Sequence, residues 1–436
     1  MKVTFRTKCI QISTFCLLIA SFRASAGDAL SNYVFAADQH FAWRQTSQVK
    51  TQGFTITRVE LTSQKWRDGL WNHHMRIVRP AEMRHPEIAL VYVTGSGSGR
   101  RQLPYLKMIA DRAGCMTAVV TQVPNQPLFN GKSEDALVAY TFDQYVKTGD
   151  ETWPVLFPMV KSAVRAMDTV AEFARKEHKE EVREFIISGA SKRGWTTWLT
   201  GAADPRVKGI APLVIDMLNI KAQTDWAAKI YGRQSEKIHD YTDLNLVAKM
   251  ALPAMQQLRD WVDPYAYRNR YTMPKLLLLG TNDRYWTVDS LRHYWDDLPE
   301  PKLLFQTPNA GHNLNGGDDA MHTLAAFVQM IADHQPLPKV HWDIASGDKA
   351  TLSIEVDQKA KEVRLWTADS SDRDFRDNGW TSQPLKITSG SSKAQATIKK
   401  PSKGYRSFMG EVVLTAPTGH DYKLSTAARV IPDTQP

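Results

Sequence analysis

Two demands decide whether a serine can act as a nucleophile. A base must stand within reach of its proton, and the backbone must lift its hydroxyl clear of its surroundings. Ser191 meets the second demand. It lies in FIISGASKRGW, residues 185–195, where Phe185, Ile186 and Ile187 read as a strand and Trp195, Trp198, Leu199 and Ala202 recur on one helical face. A serine at such a strand-to-helix turn needs small neighbours, and Gly189 precedes it by two residues. Two residues after it comes Arg193, where the usual G-x-S-x-G turn has glycine; Gly194 follows one position later. A purely structural glycine-rich turn would read the same way, so the partners decide. His312, in NAGHN, follows the apolar run LLF, and Asp283, in GTND, follows LLLLG. The histidine would take the serine proton, and the aspartate would orient the ring and stabilise its charged form. Asp216, in LVIDML, also ends an apolar run and is the alternative acid, with Asp289 a weaker third. Asp216 reads equally as a buried carboxylate that organises the segment after it.

An attacked carbonyl also needs two N–H donors for its developing charge. One falls to Lys192, the residue after the serine. The other falls within Thr94-Gly95-Ser96, with Gly95 and Ser96 the candidates. That glycine-serine loop lacks the Lys-Ser/Thr ending of a phosphate-cradling P-loop. Lys192 and Arg193 are cations at a helix start, where they oppose the helix dipole and need compensation. They meet an anionic group of the substrate or assist the oxyanion, or else they face solvent or pair with structural carboxylates.

The elements around these residues set the fold class. Ile88–Val93, Met116 onward, Val182–Ala190, Val207–Asp216, Pro274–Asp283 and Pro301 onward read as buried strands, with helical patterns such as 158–176 between them. Continuous apolar strands alternating with helices imply a mostly parallel sheet with helices on both faces, an α/β-hydrolase-like architecture. Its chain order is nucleophile, acid, histidine, the order found here. In such sheets ligands bind beyond the carboxyl ends of the strands. The segment from about 217 to 273, rich in Trp, Tyr and Gln, reads as a helical insertion suited to a lid or cleft wall. Beyond about 338 the pattern becomes short alternating runs such as ATLSIEV and GEVVLTA, which predict an all-β, immunoglobulin-like sandwich over 339–436.

Bulk properties narrow the setting. Lys2, Arg6 and Lys8, an apolar stretch and Ala24-Ser25-Ala26 match an export signal over 1–26, which predicts a periplasmic or secreted protein with a hydrolase-like domain over 27–338. That segment carries four basic and no acidic residues, so the formal charge falls from +9 to +5 without it. No Lys/Arg stripe with interleaved aromatics points to nucleic acid, and no apolar run is long enough to span a bilayer. Beyond residue 26 only Cys115 remains, next to a strand-like run, and reads as a buried small hydrophobe. His73-His74 is a lone pair expected on a strand with its rings on opposite faces, so neither a metal site nor a cofactor is expected.

Four long stretches carry a family resemblance: EDALVAYTFDQYVKTGDETWPVLFPMVKSAVRAMDTV, FIISGASKRGWTTWLTGAADPRVKGIAPLVIDMLN, TQVPNQPLFNGKSEDAL and LLLLGTNDRYWTVDS. The chain resembles the PhoPQ-activated pathogenicity-related protein family, which includes autocrine proliferation repressor proteins. The resemblance implies an exported α/β-hydrolase-like domain with a small β-domain behind it, and a link to bacterial virulence or resistance regulation. Asn125, Gln126 and Trp286, within these stretches, join Arg193 as candidates for substrate contact. The turn around Ser191 is also similar to that of glucuronoyl esterases, with a cation after the serine and a glycine three after it, which implies a carboxylate-bearing substrate.

Two readings of function follow. In the first, Ser191, His312 and Asp283 cleave a small-molecule ester, a saccharide-linked ester or a peptide, although no motif for a free amino terminus is present. In the second, the scaffold is kept for its surface, and the β-domain docks a protein or cell-envelope partner without catalysis.

Overall fold

The computed structural model describes residues 28–345, 349–388 and 392–435; the expected export signal over 1–26 lies outside these. After a short helix α1 (Asp28–Phe35), nine strands form one sheet in the order β1-β2-β3-β5-β4-β6-β7-β8-β9. Strands β1 (Ala42–Thr51), β2 (Phe54–Trp66) and β3 (Gly69–Pro80) make an antiparallel meander whose last strand runs antiparallel to β5 (Met116–Val120). From β5 onward the sheet is parallel through β4 (Ile88–Val93), β6 (Glu184–Ala190), β7 (Val207–Leu213), β8 (Lys275–Gly280) and β9 (Lys302–Thr307). This is the mixed α/β class expected, with the meander added. The sequence reading did not anticipate the meander. Its edge strand AWRQTSQVKT is polar and mostly exposed, so it offers no apolar run.

Strand β4 shows why the parallel strands read as unbroken apolar runs. Ala89, Val91 and Val93 point into one core with α3 (Glu134–Thr148), α4 (Leu156–Phe173) and α5 (Lys192–Ala203). Ile88, Leu90 and Tyr92 point into the other, with α2 (Leu103–Ala113) and α9 (Asp318–Ala332). Both faces are covered, so no position needs a polar side chain. Between β7 and β8 lie α6 (Ile220–Tyr231), α7 (His239–Asp243) and α8 (Pro253–Val262), the helical insertion. His73 and His74 sit on β3 with His73 buried and His74 exposed. No helix among the described residues is long and apolar enough to cross a membrane.

After α9 come two antiparallel sheets. One orders β10 (Val340–Ala345), β11 (Lys349–Val356) and β14 (Ser392–Lys399). The other holds β12 (Glu362–Ser370), β13 (Thr381–Pro384), β15 (Tyr405–Thr415), β16 (Asp421–Ser425) and β17 (Arg429–Ile431). The two sheets face each other closely: a Cβ on Gly410 would overlap the Ile354 side chain. Their inner residues Leu352, Val363 and Val412 join the same core as Leu324 and Phe327 of α9. The C-terminal strands therefore close over the α9 side of the large sheet.

Candidate active site

Ser191 occupies the turn between β6 and α5 with φ 58 and ψ −124. For a residue with a side chain this backbone costs on the order of 1–3 kcal/mol, and the surroundings must enforce it. Its N–H is held by Leu213 O of β7 at 2.8 Å, and its carbonyl accepts Trp195 N–H of α5 at 2.9 Å. The glycine spacing has a direct cause. A Cβ on Gly189 would lie 2.8 Å from Val93 O and 2.9 Å from Arg193 Cβ. A Cβ on Gly194 would lie 2.7 Å from Ile215 Cγ2 and 2.9 Å from Leu213 O. The helix thus meets the neighbouring strand at the third residue after the serine. The bare Gly189 leaves room for a side chain at the second, and Arg193 fits there.

His312 follows β9, and its Nε2 lies 2.9 Å from Ser191 Oγ. Its Nδ1 lies 2.8 Å from Asp283 Oδ2, whose other oxygen accepts Tyr285 N–H at 3.0 Å. A carboxylate only accepts, so Nδ1 carries a proton and Nε2 is free to accept from the serine hydroxyl. The loops carrying the two residues are stitched together. Asn282 N–H donates to Ala310 O at 2.9 Å, and Asn309 N–H donates to Thr281 Oγ1 at 3.0 Å. The bare face of Gly280 admits this crossing, since a Cβ there would strike the Ala310 and Gly311 carbonyls.

The alternative acids sit elsewhere. Asp216 is buried and accepts the Tyr294 hydroxyl at 2.6 Å rather than facing His312. Burial, reinforced by the Asp283 and Asp289 charges, pushes its carboxyl up to about 7 despite that bond. Asp289 is committed to Trp226 Nε1 and to Arg292 and Arg373, the last at 2.8 Å.

Register places the candidate oxyanion donors level with the serine. Val93 of β4 pairs with Gly189 of β6, so Gly95 and Ser191 each lie two residues past one rung. Thr94 N–H is already bound to Val120 O, which leaves the second donor to Gly95 or Ser96 beside Lys192.

The two cations are both paired with carboxylates of the protein itself. Arg193 makes a bidentate pair with Glu134 at 2.6 and 2.8 Å and donates Nε to Val123 O; its guanidinium passes over Gly95, where a Cβ would overlap it. Burial raises the Glu134 carboxyl, but the Arg193 hydrogen bonds and charge outweigh this and hold it at about 2. Gln126 binds Glu134 through both ends of its amide, at 2.6 and 2.8 Å. Asn125 donates to Asn72 O at 2.8 Å. Lys192 Nζ lies 2.8 Å from Asp135 Oδ2. Of the four residues expected to contact substrate, only Trp286 lines the cleft over Ser191; Arg193, Asn125 and Gln126 are occupied with the protein itself.

That cleft has a cavity volume of about 120 Å³. Ser191, Lys192 and His312 form its reactive end, and the insertion supplies most of its wall. Sequence reasoning missed two further groups. Asp135 accepts Lys192, Tyr285 (3.0 Å) and Tyr241 of α7 (3.1 Å), and so joins the nucleophile turn, the acid loop and the insertion. The Tyr285 ring lies against His312 with centroids 4.5 Å apart. Both residues fall inside the family stretches quoted above, but nothing local marks them as partners 150 residues apart.

The sheet order, the strained serine turn after β6 and the residues that follow β8 and β9 on the same edge define an α/β-hydrolase fold. Comparison with known proteins gives the family: the profile of the PhoPQ-activated pathogenicity-related protein family matches residues 30–376, and the chain belongs to that family. It is 32% identical over 466 residues to autocrine proliferation repressor protein A of Dictyostelium discoideum, covering 96% of this chain and 94% of that protein. Among solved structures, an acetyl xylan esterase from Paenibacillus sp. R4 is 15% identical with a TM-score of 0.48, covering 68% of this chain and 90% of that one. An S-formylglutathione hydrolase from Agrobacterium tumefaciens is 13% identical with a TM-score of 0.42, covering 67% of this chain and 96% of that one.

Proposed function

We propose that this protein is an exported serine hydrolase that cleaves carboxylic esters, with Ser191 as nucleophile, His312 as base and Asp283 as the orienting acid. The observation that carries the reading is the unbroken chain Ser191 Oγ–His312 Nε2–His312 Nδ1–Asp283 Oδ2, with contacts of 2.9 and 2.8 Å. In the first step Ser191 Oγ bonds to the carbonyl carbon while its proton passes to His312 Nε2. The N–H groups of Lys192 and of Gly95 or Ser96 hold the oxyanion. The carbon–oxygen bond to the alcohol then breaks, and the alcohol leaves with the proton from His312. Water repeats the sequence on the acyl-enzyme, which releases the acid and restores the serine. The expected export signal would place this activity outside the cytoplasm. Labelling of the protein lacking residues 1–26 with a fluorophosphonate, beside Ser191→Ala and His312→Ala, tests the reading. Labelling that both substitutions abolish supports it. A folded parent that does not label between pH 6 and 9 overturns it in favour of a non-catalytic binding protein.

A further inference from the structure

The cations next to Ser191 suggest an anionic substrate, and the cleft beyond it argues the opposite. Lys192 and Arg193 are both buried, and each is spent on its own carboxylate: Lys192 on Asp135 at 2.8 Å and Arg193 on Glu134 at 2.6 Å. Two charges neutralised in place leave no net cation for a substrate carboxylate, and separating either pair would strand a buried charge. The wall facing Ser191 is apolar. Phe142, Trp195, Ile215, Met217, Met250 and Leu258 line it, contributed by α3, α5, the end of β7 and the insertion. Arg259 of α8 also reaches the lining, where its Nη1 donates to Met250 O. The tyrosines at the reactive end are held too, since Tyr241 and Tyr285 both donate to Asp135. Apart from the Arg259 guanidinium, what remains open to a ligand is a cleft of hydrocarbon and aromatic surface ending at the serine hydroxyl.

We infer that this cleft seats a neutral, apolar chain of several carbons carried by the ester on its acyl or alcohol side, so that the substrates are lipophilic esters rather than short-chain, sugar-acid or other carboxylate-bearing ones. The inference rests on the hydrolase reading and adds the substrate class to it. Burial of each methylene contributes about 0.8 kcal/mol, which is about fourfold in kcat/KM if the contact persists in the transition state. Most of the lining is unbranched or aromatic, and methionine adapts to chains of different shape.

The test uses two ester series and one binding measurement. The p-nitrophenyl esters of acetate, butyrate and octanoate vary the acyl side, methyl to octyl acetates vary the alcohol side, and p-nitrophenyl hemisuccinate carries a carboxylate. The expected result is a rise of at least tenfold in kcat/KM from the short to the eight-carbon member of one series, with the hemisuccinate below butyrate. In Met250→Trp, which fills the cleft, the ratio of long-chain to short-chain turnover should fall towards one. Hydrolysis of every ester with no chain-length preference, or a preference for the hemisuccinate, overturns this inference and leaves the hydrolase reading standing. Binding of methyl octanoate to Ser191→Ala, read by quenching of tryptophan fluorescence, separates the two ideas from the other side. Binding without turnover by the parent supports the apolar cleft and overturns the hydrolase reading. Absence of both binding and turnover overturns both.

Discussion

Two regions meet at Ser191, His312 and Asp283, and they are built from opposite materials. On the insertion side, the wall over Ser191 is side-chain hydrocarbon, with Trp195, Met255 and Leu258 packed into the large core. On the C-terminal side, the loop between β12 and β13 grips the acid and histidine loops through directional polar bonds. Asn282 Nδ2 donates to the Phe375 and Asn378 carbonyls at 3.1 and 2.8 Å. Asn309 exchanges two bonds with the Trp380 backbone at 2.9 and 2.7 Å. Arg284 pairs with Asp377, and Arg373 reaches Asp289. Apolar packing tolerates changes of shape at constant volume, whereas hydrogen bonds fix position. On the proposed hydrolase reading, the first region would set substrate shape and the second the alignment of His312 and Asp283.

The sharpest break in this assignment is at the carboxylates. Asp283→Asn should lower kcat about 10⁴-fold, because an amide favours the wrong imidazole tautomer. Asp216→Asn should leave kcat near the parent value, since Asp216 bonds to Tyr294 and not to His312. Steady-state kinetics of the two variants on one ester decides between them. Comparable losses in both would mean that the acid role is shared.

Next in size is Arg373→Met. Its guanidinium and the Asp289 carboxyl are buried against each other at 2.8 Å, with side-chain exposures of 1% and 2%. Removing Arg373 leaves the buried Asp289 carboxylate with Arg292, at 3.0 Å, as its remaining cation, so the cost should be about 3 kcal/mol, the low end for a broken buried pair. Urea unfolding should show that loss, and partial restoration by Asp289→Asn in the same chain would identify the under-compensated carboxylate as its cause.

A third prediction concerns pH. Asp216 keeps its proton in the folded chain up to about 7, while an unfolded aspartic acid loses it near 3.8. The folded state therefore binds the extra proton between these values, and this contribution to stability is full below about 4 and lost as pH rises through 7. At about 1.4 kcal/mol per pH unit the window bounds the change at ~4 kcal/mol. Asp216→Asn keeps the acceptor for Tyr294 without the charge, so its stability relative to the parent should increase steadily from pH 4 to pH 7. Parallel curves for the two proteins would remove the buried-proton account.

How much of this was legible in sequence follows the same division. Ser191, Asp283 and His312 each end an apolar run, and strand ends are readable because a parallel strand buried on both faces is mostly apolar. The insertion could be read as helical, but not which of its faces lines the cleft. The C-terminal strands were legible from their alternation. Their grip on the acid loop was not, because Asn282 binds carbonyls 93 and 96 residues away, and any residue type would supply those carbonyls. Arg193 stayed ambiguous for a related reason. Its spacing from Ser191 looks functional, and only the fold shows that Glu134, 59 residues earlier, takes its charge.

The smallest effects sharpen the comparison most, because they separate alignment from shape. Asn282→Ala removes the bonds to Phe375 and Asn378 without touching Ser191, His312 or Asp283. A lost buried hydrogen bond is worth about 1 kcal/mol, and a small displacement of the acid loop adds to it, so kcat should fall roughly tenfold. KM should hardly move, because the cleft wall belongs to the other region. Leu258→Ala should do the converse. It enlarges the cleft and raises KM for long-chain esters several-fold with little change in kcat, at a cost of about 2–5 kcal/mol in stability. If Asn282→Ala raised KM and Leu258→Ala lowered kcat, the two regions would not be separable, and the alignment of the triad would depend on the filling of the cleft.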